Sequence, residues 1–204
     1  MKEVAEMRKP KSAEQGCGLL LLGSMLSIVA LIALGNFLAR HVLDSKVRRE
    51  SVAAEIRRLA AQYESNPQDP TPLNAIIEHA RGNYAFGRVY AVGALGDLGE
   101  LRDSPEEALP ILRWLLRRSD RTTRREAAIA LGKFGPVAID AIPDLIHTMK
   151  TGGTDVSWFS ALSLGEIGST DPHVIAALKE ATASRDSMLR KRAEIALEML
   201  QQDD

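Results

Sequence analysis

Side chains able to do acid–base, nucleophilic or metal chemistry are few and scattered. His41, His79, His147 and His173 lie far apart in the chain. No H-x-x-E-H or similar spacing sets two imidazoles on one helix face, as a zinc site needs. The single cysteine, Cys17, precludes an internal disulfide and leaves the rest of the chain without a thiol nucleophile. No glycine-rich phosphate loop appears, because the glycines follow a longer period of their own. We therefore expect no catalytic residue, no metal site, no cofactor and no small-molecule substrate.

One stretch carries a binding chemistry instead. Arg113, Arg117, Arg118, Arg121, Arg124 and Arg125 fall within 13 residues, opposed locally only by Asp120. On a helical projection Ile111, Leu112 and Leu115 point one way, and Trp114 falls between Arg117 and Arg118 at the edge of that apolar stripe. Tryptophan flanked by arginine has the composition of a protein-binding hot spot. The competing reading packs Trp114 on a neighbouring helix and leaves the arginines as a solvated ridge. The candidate protein-binding residues are Arg113, Trp114, Arg117, Arg118, Arg121 and Arg125. Trp158 sits at a variable, outward-leaning place, where burial against the preceding unit is expected.

The elements that must hold these residues are short helices. In Arg124–Ile146 (RREAAIALGKFGPVAIDAIPDLI), Ala127, Ala128, Leu131 and Phe134 recur at helical spacing. Gly135-Pro136 stops that helix, and a second is predicted from Val137 to Lys150. Such a pair cannot bury its own apolar face, and the chain supplies neighbours. Four first helices align as RVYAVGALGDLG (88–99), RREAAIALGKFG (124–135), SWFSALSLGEIG (157–168) and RKRAEIALEMLQ (190–201). Their anchor leucines, Leu95, Leu131, Leu164 and Leu197, are 36, 33 and 33 residues apart, a solenoid period. Four residues before each stands a small side chain (Ala91, Ala127, Ser160, Ala193), and glycine follows three of them (Gly96, Gly132, Gly165). A helical glycine costs about 1 kcal/mol relative to alanine, so three in register point to close helix packing. Glu198 at the fourth place fits a unit with no neighbour on that side. Second helices are predicted at Pro105–Arg118, Val137–Lys150 and Pro172–Ser184. Asp120, Asp155 and Asp186 stand where they can cap the next helix.

The pattern R-x-x-A-A-x-A-L-G-x-φ-G followed by A-x-x-A-x-P-x-L-I resembles HEAT repeats, most closely the short bacterial type found in phycobilisome-lyase-like proteins. The similarity covers about residues 85–202. Residues 47–81 are expected to form a degenerate first pair. The resemblance implies an all-α solenoid of stacked antiparallel hairpins that binds another protein as a scaffold. Its alternative implication is a lyase-like or chaperone-like helper for a cofactor- or chromophore-bearing partner. Arg88, Arg124 and Arg190 match a family position, where pairing with an Asp or a helix end is expected over ligand contact. HEAT-type deoxyhypusine hydroxylases hold iron with His-Glu dipeptides, whereas this chain has Glu78-His79, once and reversed.

Composition agrees with close-packed helices, since aromatic residues are only 4%. A net charge of -1 gives no basic field for nucleic acid. Residues 1–17 are polar, mixed in charge and expected to be disordered. Residues 18–39 form an uncharged apolar run of 22, long enough to cross a bilayer. They predict a single transmembrane helix over 18–40 and a single-pass membrane location, with a cleaved signal peptide as the competing reading. Basic residues on both sides are balanced, so orientation stays open. A juxtamembrane amphipathic helix follows, with Val52, Ile56, Leu59 and Tyr63 on one side. Within 41–84 it leads into the first pair, and 85–204 form the repeat region.

Overall fold

Every element among the described residues is helical. The structure, a computed structural model, describes the backbone of residues 13–101 and 106–202. The side chains of residues 13–33, Asn36, Arg118 and Gln202 lie outside the described residues. The chain divides into two units, Met1–Arg48 and Arg49–Asp204.

In the first unit, helix α1 (Ala13–Ser65) already includes Ala13–Cys17, and residues 1–12 of the expected tail lie outside the described residues. Leu34, Phe37, Leu38, Val42 and Leu43 are exposed on it. The transmembrane helix expected over 18–40, and the single-pass membrane location with it, must be corrected. Among the described residues no helix is long and apolar enough to cross a membrane. Arg40, Asp44, Lys46 and Arg48 interrupt the described apolar side chains well short of the roughly 20 successive apolar residues a span requires. The side chains of residues 18–33, on which most of that expectation rested, lie outside the described residues.

The second unit is a two-layer helical stack. The end of α1 turns Ile56 and Tyr63 into the core, with Val52 and Leu59 partly buried beside them. It therefore serves as the first helix of the packed unit. Next come α2 (Thr71–Arg81), α3 (Ala85–Gly99), α4 (Leu109–Arg118), α5 (Arg121–Lys133), α6 (Ile142–Thr151), α7 (Thr154–Ile167), α8 (Pro172–Thr182) and α9 (Ser187–Gln202). Helices α3, α5, α7 and α9 pack side by side in one layer. The other layer is α2, α4, α6 and α8, whose members touch one another far more sparsely.

Two details differ from the sequence reading. The intimate hairpins are α2–α3, α4–α5, α6–α7 and α8–α9, so the folded unit begins half a period earlier than the Leu-Gly alignment placed it. The helix predicted from Val137 begins only at Ile142, after a 3-10 segment Gly135–Ala141. Gly135 enters that segment at φ +57°, a conformation that costs glycine nothing. Pro110 and Pro143 each sit in the first turn of their helix, where the missing N–H has no helical partner in any case.

The anchors behave as the period predicts. Leu95, Leu131 and Leu164 are fully buried. Leu197 is partly buried against the core, with Ala196 in the buried place beside it. The glycine register keys one layer together. A methyl group at Gly96 would stand 2.9 Å from Ala130 Cα, and one at Gly165 only 2.7 Å from Ala196 Cα. At these crossings the helices meet backbone to backbone. Glu198, at the equivalent place in α9, is exposed.

Candidate protein-docking surface

Helix α4 places the first candidates. Its apolar stripe (Ile111, Leu112, Leu115, Leu116) is buried, which fixes the rotation of the helix. That rotation leaves Trp114 45% exposed. Its indole lines a shallow depression of about 350 Å³ with Arg81, Pro110 and Ile111. The structure thus leaves much of the ring in solvent, where one sequence reading had packed it on a neighbour.

The arginines divide into two sets. Arg113 Nε donates to Asp144 Oδ2 at 2.8 Å, and Arg117 Nη1 lies 3.5 Å from Asp144 Oδ1. Asp144, on α6, is only 11% exposed through its side chain, whereas Arg117 is 52% exposed. Arg121 and Arg125 turn instead to the start of α7. Arg121 Nε donates to Asp155 Oδ1 at 2.6 Å, and Arg125 pairs with Glu126 at 2.7 Å and more loosely with Asp155 at 3.8 Å. The side chain of Arg118 lies outside the described residues. Local sequence opposed this cluster with Asp120 alone. Beside the adjacent Glu126, which pairs with Arg125, its carboxylates come from about one period downstream, Asp144 facing Arg113 and Asp155 facing Arg121. A search at the repeat period would have found both.

Asp120 itself pairs with Arg88 from the preceding unit at 3.1 Å and caps α5 by accepting from Thr123 N–H. Burial pushes its carboxyl up, and the Thr123 N–H and hydroxyl, with Arg88, outweigh that and hold it below the ordinary carboxylate range. Asp155 behaves alike, with Arg121 as the dominant donor against burial. Asp186 is lowered chiefly by the indole of Trp158, whose Nε1–H donates to it at 2.8 Å. Trp158 is therefore half-buried and tied forward to the following unit, where sequence reasoning expected burial against the preceding one. Arg88 Nε and Arg190 Nη1 donate to loop carbonyls at Gly82 and Ser184, and Arg124 Nη2 to that of Gly152. All three thus serve the helix ends.

Glu166 is the exception in charge behaviour. Burial raises its carboxyl above the ordinary range, against the pull of Lys133. It lies on α7 against Gly132 of α5. Among the described residues, no group of three His, Cys, Asp or Glu side chains converges to hold a metal.

With that geometry in hand, comparison with known proteins is informative about architecture. A family model for HEAT repeats matches residues 73–151, from the start of α2 to the end of α6. The fold is similar to the crystal structure of an engineered protein, a Northeast Structural Genomics Consortium target. That likeness has a TM-score of 0.56 at 21% identity and covers 78% of this chain and 74% of that one. No curated protein matches the chain.

Proposed function

We propose that this chain is a non-catalytic scaffold that docks another protein through the α4 surface around Trp114. The exposure of Trp114 carries the reading. Four neighbours on the same helix are buried, yet the largest apolar side chain of α4 faces solvent beside Arg81 and Arg117. Tryptophan and arginine dominate binding energy where partners meet. Arg117, half exposed and loosely held, is free to re-pair with an acidic group of the partner. HEAT repeats, matched over 73–151, generally mediate protein–protein interaction. We read α7–α9, beyond the matched residues, as continuing the same repeat, on the strength of Leu164, Gly165 and Ala193 in register.

Affinity capture with the full chain is expected to recover a defined partner. Trp114→Ala and Arg117→Glu should each weaken capture by about tenfold or more, the effect of losing a hot-spot side chain. The thermal midpoint should stay nearly unchanged in Trp114→Ala, whose side chain is half exposed, and fall slightly in Arg117→Glu, which sets a second carboxylate near Asp144. Capture that survives both substitutions would remove this surface from the account.

A further inference from the structure

Arg124 is a half-buried guanidinium without an anion. Its Nη2–H donates to the carbonyl of Gly152 at 3.3 Å, while its Nε–H is buried and meets no acceptor among the described residues. Among the described residues no carboxylate pairs with it. Asp120 is taken by Arg88 and Thr123, and Asp155 by Arg121 at 2.6 Å and by the Val156 N–H. Arginine cannot shed its charge by losing a proton, and a charge drawn out of water is ordinarily paired. Arg124 breaks that rule.

The repeat itself shows what is missing. Seven residues before the anchor leucine stand Arg88 in α3 and Arg124 in α5. Eleven residues before it stand Asp120 at the start of α5 and Gly153 at the start of α7. Arg88 reaches forward one unit to Asp120 at 3.1 Å, and the same carboxylate accepts from the Thr123 N–H in the first turn of α5. Arg124 reaches forward one unit in the same way and meets Gly153, which has no side chain to offer, so it settles on the carbonyl just before it. Helix α7 correspondingly has no side-chain cap. Its Val156 N–H turns to the neighbouring Asp155, and the N–H groups of Thr154 and Asp155 have no acceptor among the described residues. The place of a Cβ at Gly153 has no atom within 4 Å, so the room is open.

We propose that this place binds a small free oxyanion of the phosphate class, held by the Arg124 guanidinium where the equivalent Arg88 holds the carboxylate of Asp120. The charge of Arg124 commits the sign of the ligand. The guanidinium offers a planar fork of N–H donors that matches an oxyanion, and the first N–H groups of α7 add to it without carrying the site. Binding here involves neither Trp114 nor Arg117, so it stands or falls apart from the docking surface on α4.

Inorganic phosphate, titrated into the full chain at constant ionic strength with chloride as the balancing anion, is the probe. It should shift the amide resonances of Thr154 and Asp155 saturably, at one site per chain, and raise the thermal midpoint as its concentration rises. Arg124→Gln should abolish both responses. Arg124→Lys keeps the charge, loses the fork and should weaken binding about tenfold. Asp120→Ala empties the equivalent place beside Arg88, so the count of bound phosphate should rise from one to two, with the Thr123 amide now responding. That count decides the matter even if Arg124→Gln, deprived of its bond to Gly152, unfolds. Phosphate acting no differently from chloride, a response that survives Arg124→Gln or is lost instead in Arg117→Gln, or a count still at one in Asp120→Ala would each overturn the proposal.

Discussion

The two layers of the stack are held together by different physics. Where α3 meets α5 and α7 meets α9, backbone approaches backbone across Gly96 and Gly165; at Gly132 the α7 neighbours are the Ser163 and Glu166 side chains, and Lys133 adds an ion pair to Asp97 of α3 at 2.6 Å. Between α4, α6 and α8, cross-links come from long side chains: Arg113 to Asp144 at 2.8 Å and Lys150 to Glu180 at 2.6 Å. Backbone contact is short-ranged, indifferent to salt and intolerant of an added methyl group. Ion pairs on half-exposed side chains are weak, screened by salt and tolerant of substitution. The contrast teaches where variation is affordable. The glycine-keyed layer fixes the repeat, and the ion-paired layer leaves Trp114 and Arg117 half exposed.

The largest expected effect that would sharpen this contrast falls on Asp144. Asp144→Ala removes the acceptor of both Arg113 and Arg117 and should cost about 1–2 kcal/mol in denaturant unfolding, discounted for the partial exposure of the arginines. The loss should shrink in high salt. A salt-independent loss would mean that packing, and not charge, holds α4 to α6.

Acid should act next. The carboxyls of Asp120, Asp155 and Asp186 titrate below their ordinary range when folded. The folded chain therefore binds fewer of these protons than the unfolded one. The stability they contribute is full above about pH 4–5 and is lost as pH falls through the folded values. Glu166 works the other way. Its raised carboxyl favours folding most below about pH 4, and that contribution is lost as pH rises through its folded value. Thermal midpoints followed from pH 7 to pH 3 should show the acid loss flattened by Trp158→Phe, which frees Asp186 to titrate nearer its ordinary range. Glu166→Gln should instead abolish any gain in stability as pH falls from neutral toward the ordinary glutamate range. Profiles unchanged by either substitution would contradict these assignments.

The smallest effect tests the glycine-keyed layer from inside. Ser160 is fully buried at the small-residue position, and among the described residues its hydroxyl has no hydrogen-bond partner. Ser160→Ala should leave stability unchanged or raise it by up to about 1 kcal/mol, because an unpaired buried hydroxyl only costs desolvation. A clear loss in a denaturant titration would mean that the hydroxyl has a partner after all.

The period was legible because it is written in side chains that only a stack can use: Leu95, Leu131 and Leu164 at one register and Gly96, Gly132 and Gly165 at the next. The half-period offset of the hairpins was not, because nothing in the residues that link successive helices says which connection closes the tighter pair. The start of α6 was hidden by Val137, Ala138 and Ile139, whose apolar character suits a 3-10 segment as well as a helix. At the candidate surface, the place of Trp114 at the stripe edge suited either exposure or packing on a neighbour, and the internal pairing of its arginines was not legible. Asp144 and Asp155 lie about one repeat away along the chain and become neighbours only once the layers form. The apolar run of 18–39 suggested a bilayer span from composition alone, and no helix among the described residues meets that requirement.

Gly165→Ala tests the glycine key most directly. Helix propensity alone would raise stability by about 1 kcal/mol. The added methyl would stand 2.7 Å from Ala196 Cα, and separating α7 from α9 costs about 1–3 kcal/mol. The account predicts a lower thermal midpoint than that of the parent chain. A midpoint that rises would contradict it, because the helices would then not be meeting at that glycine.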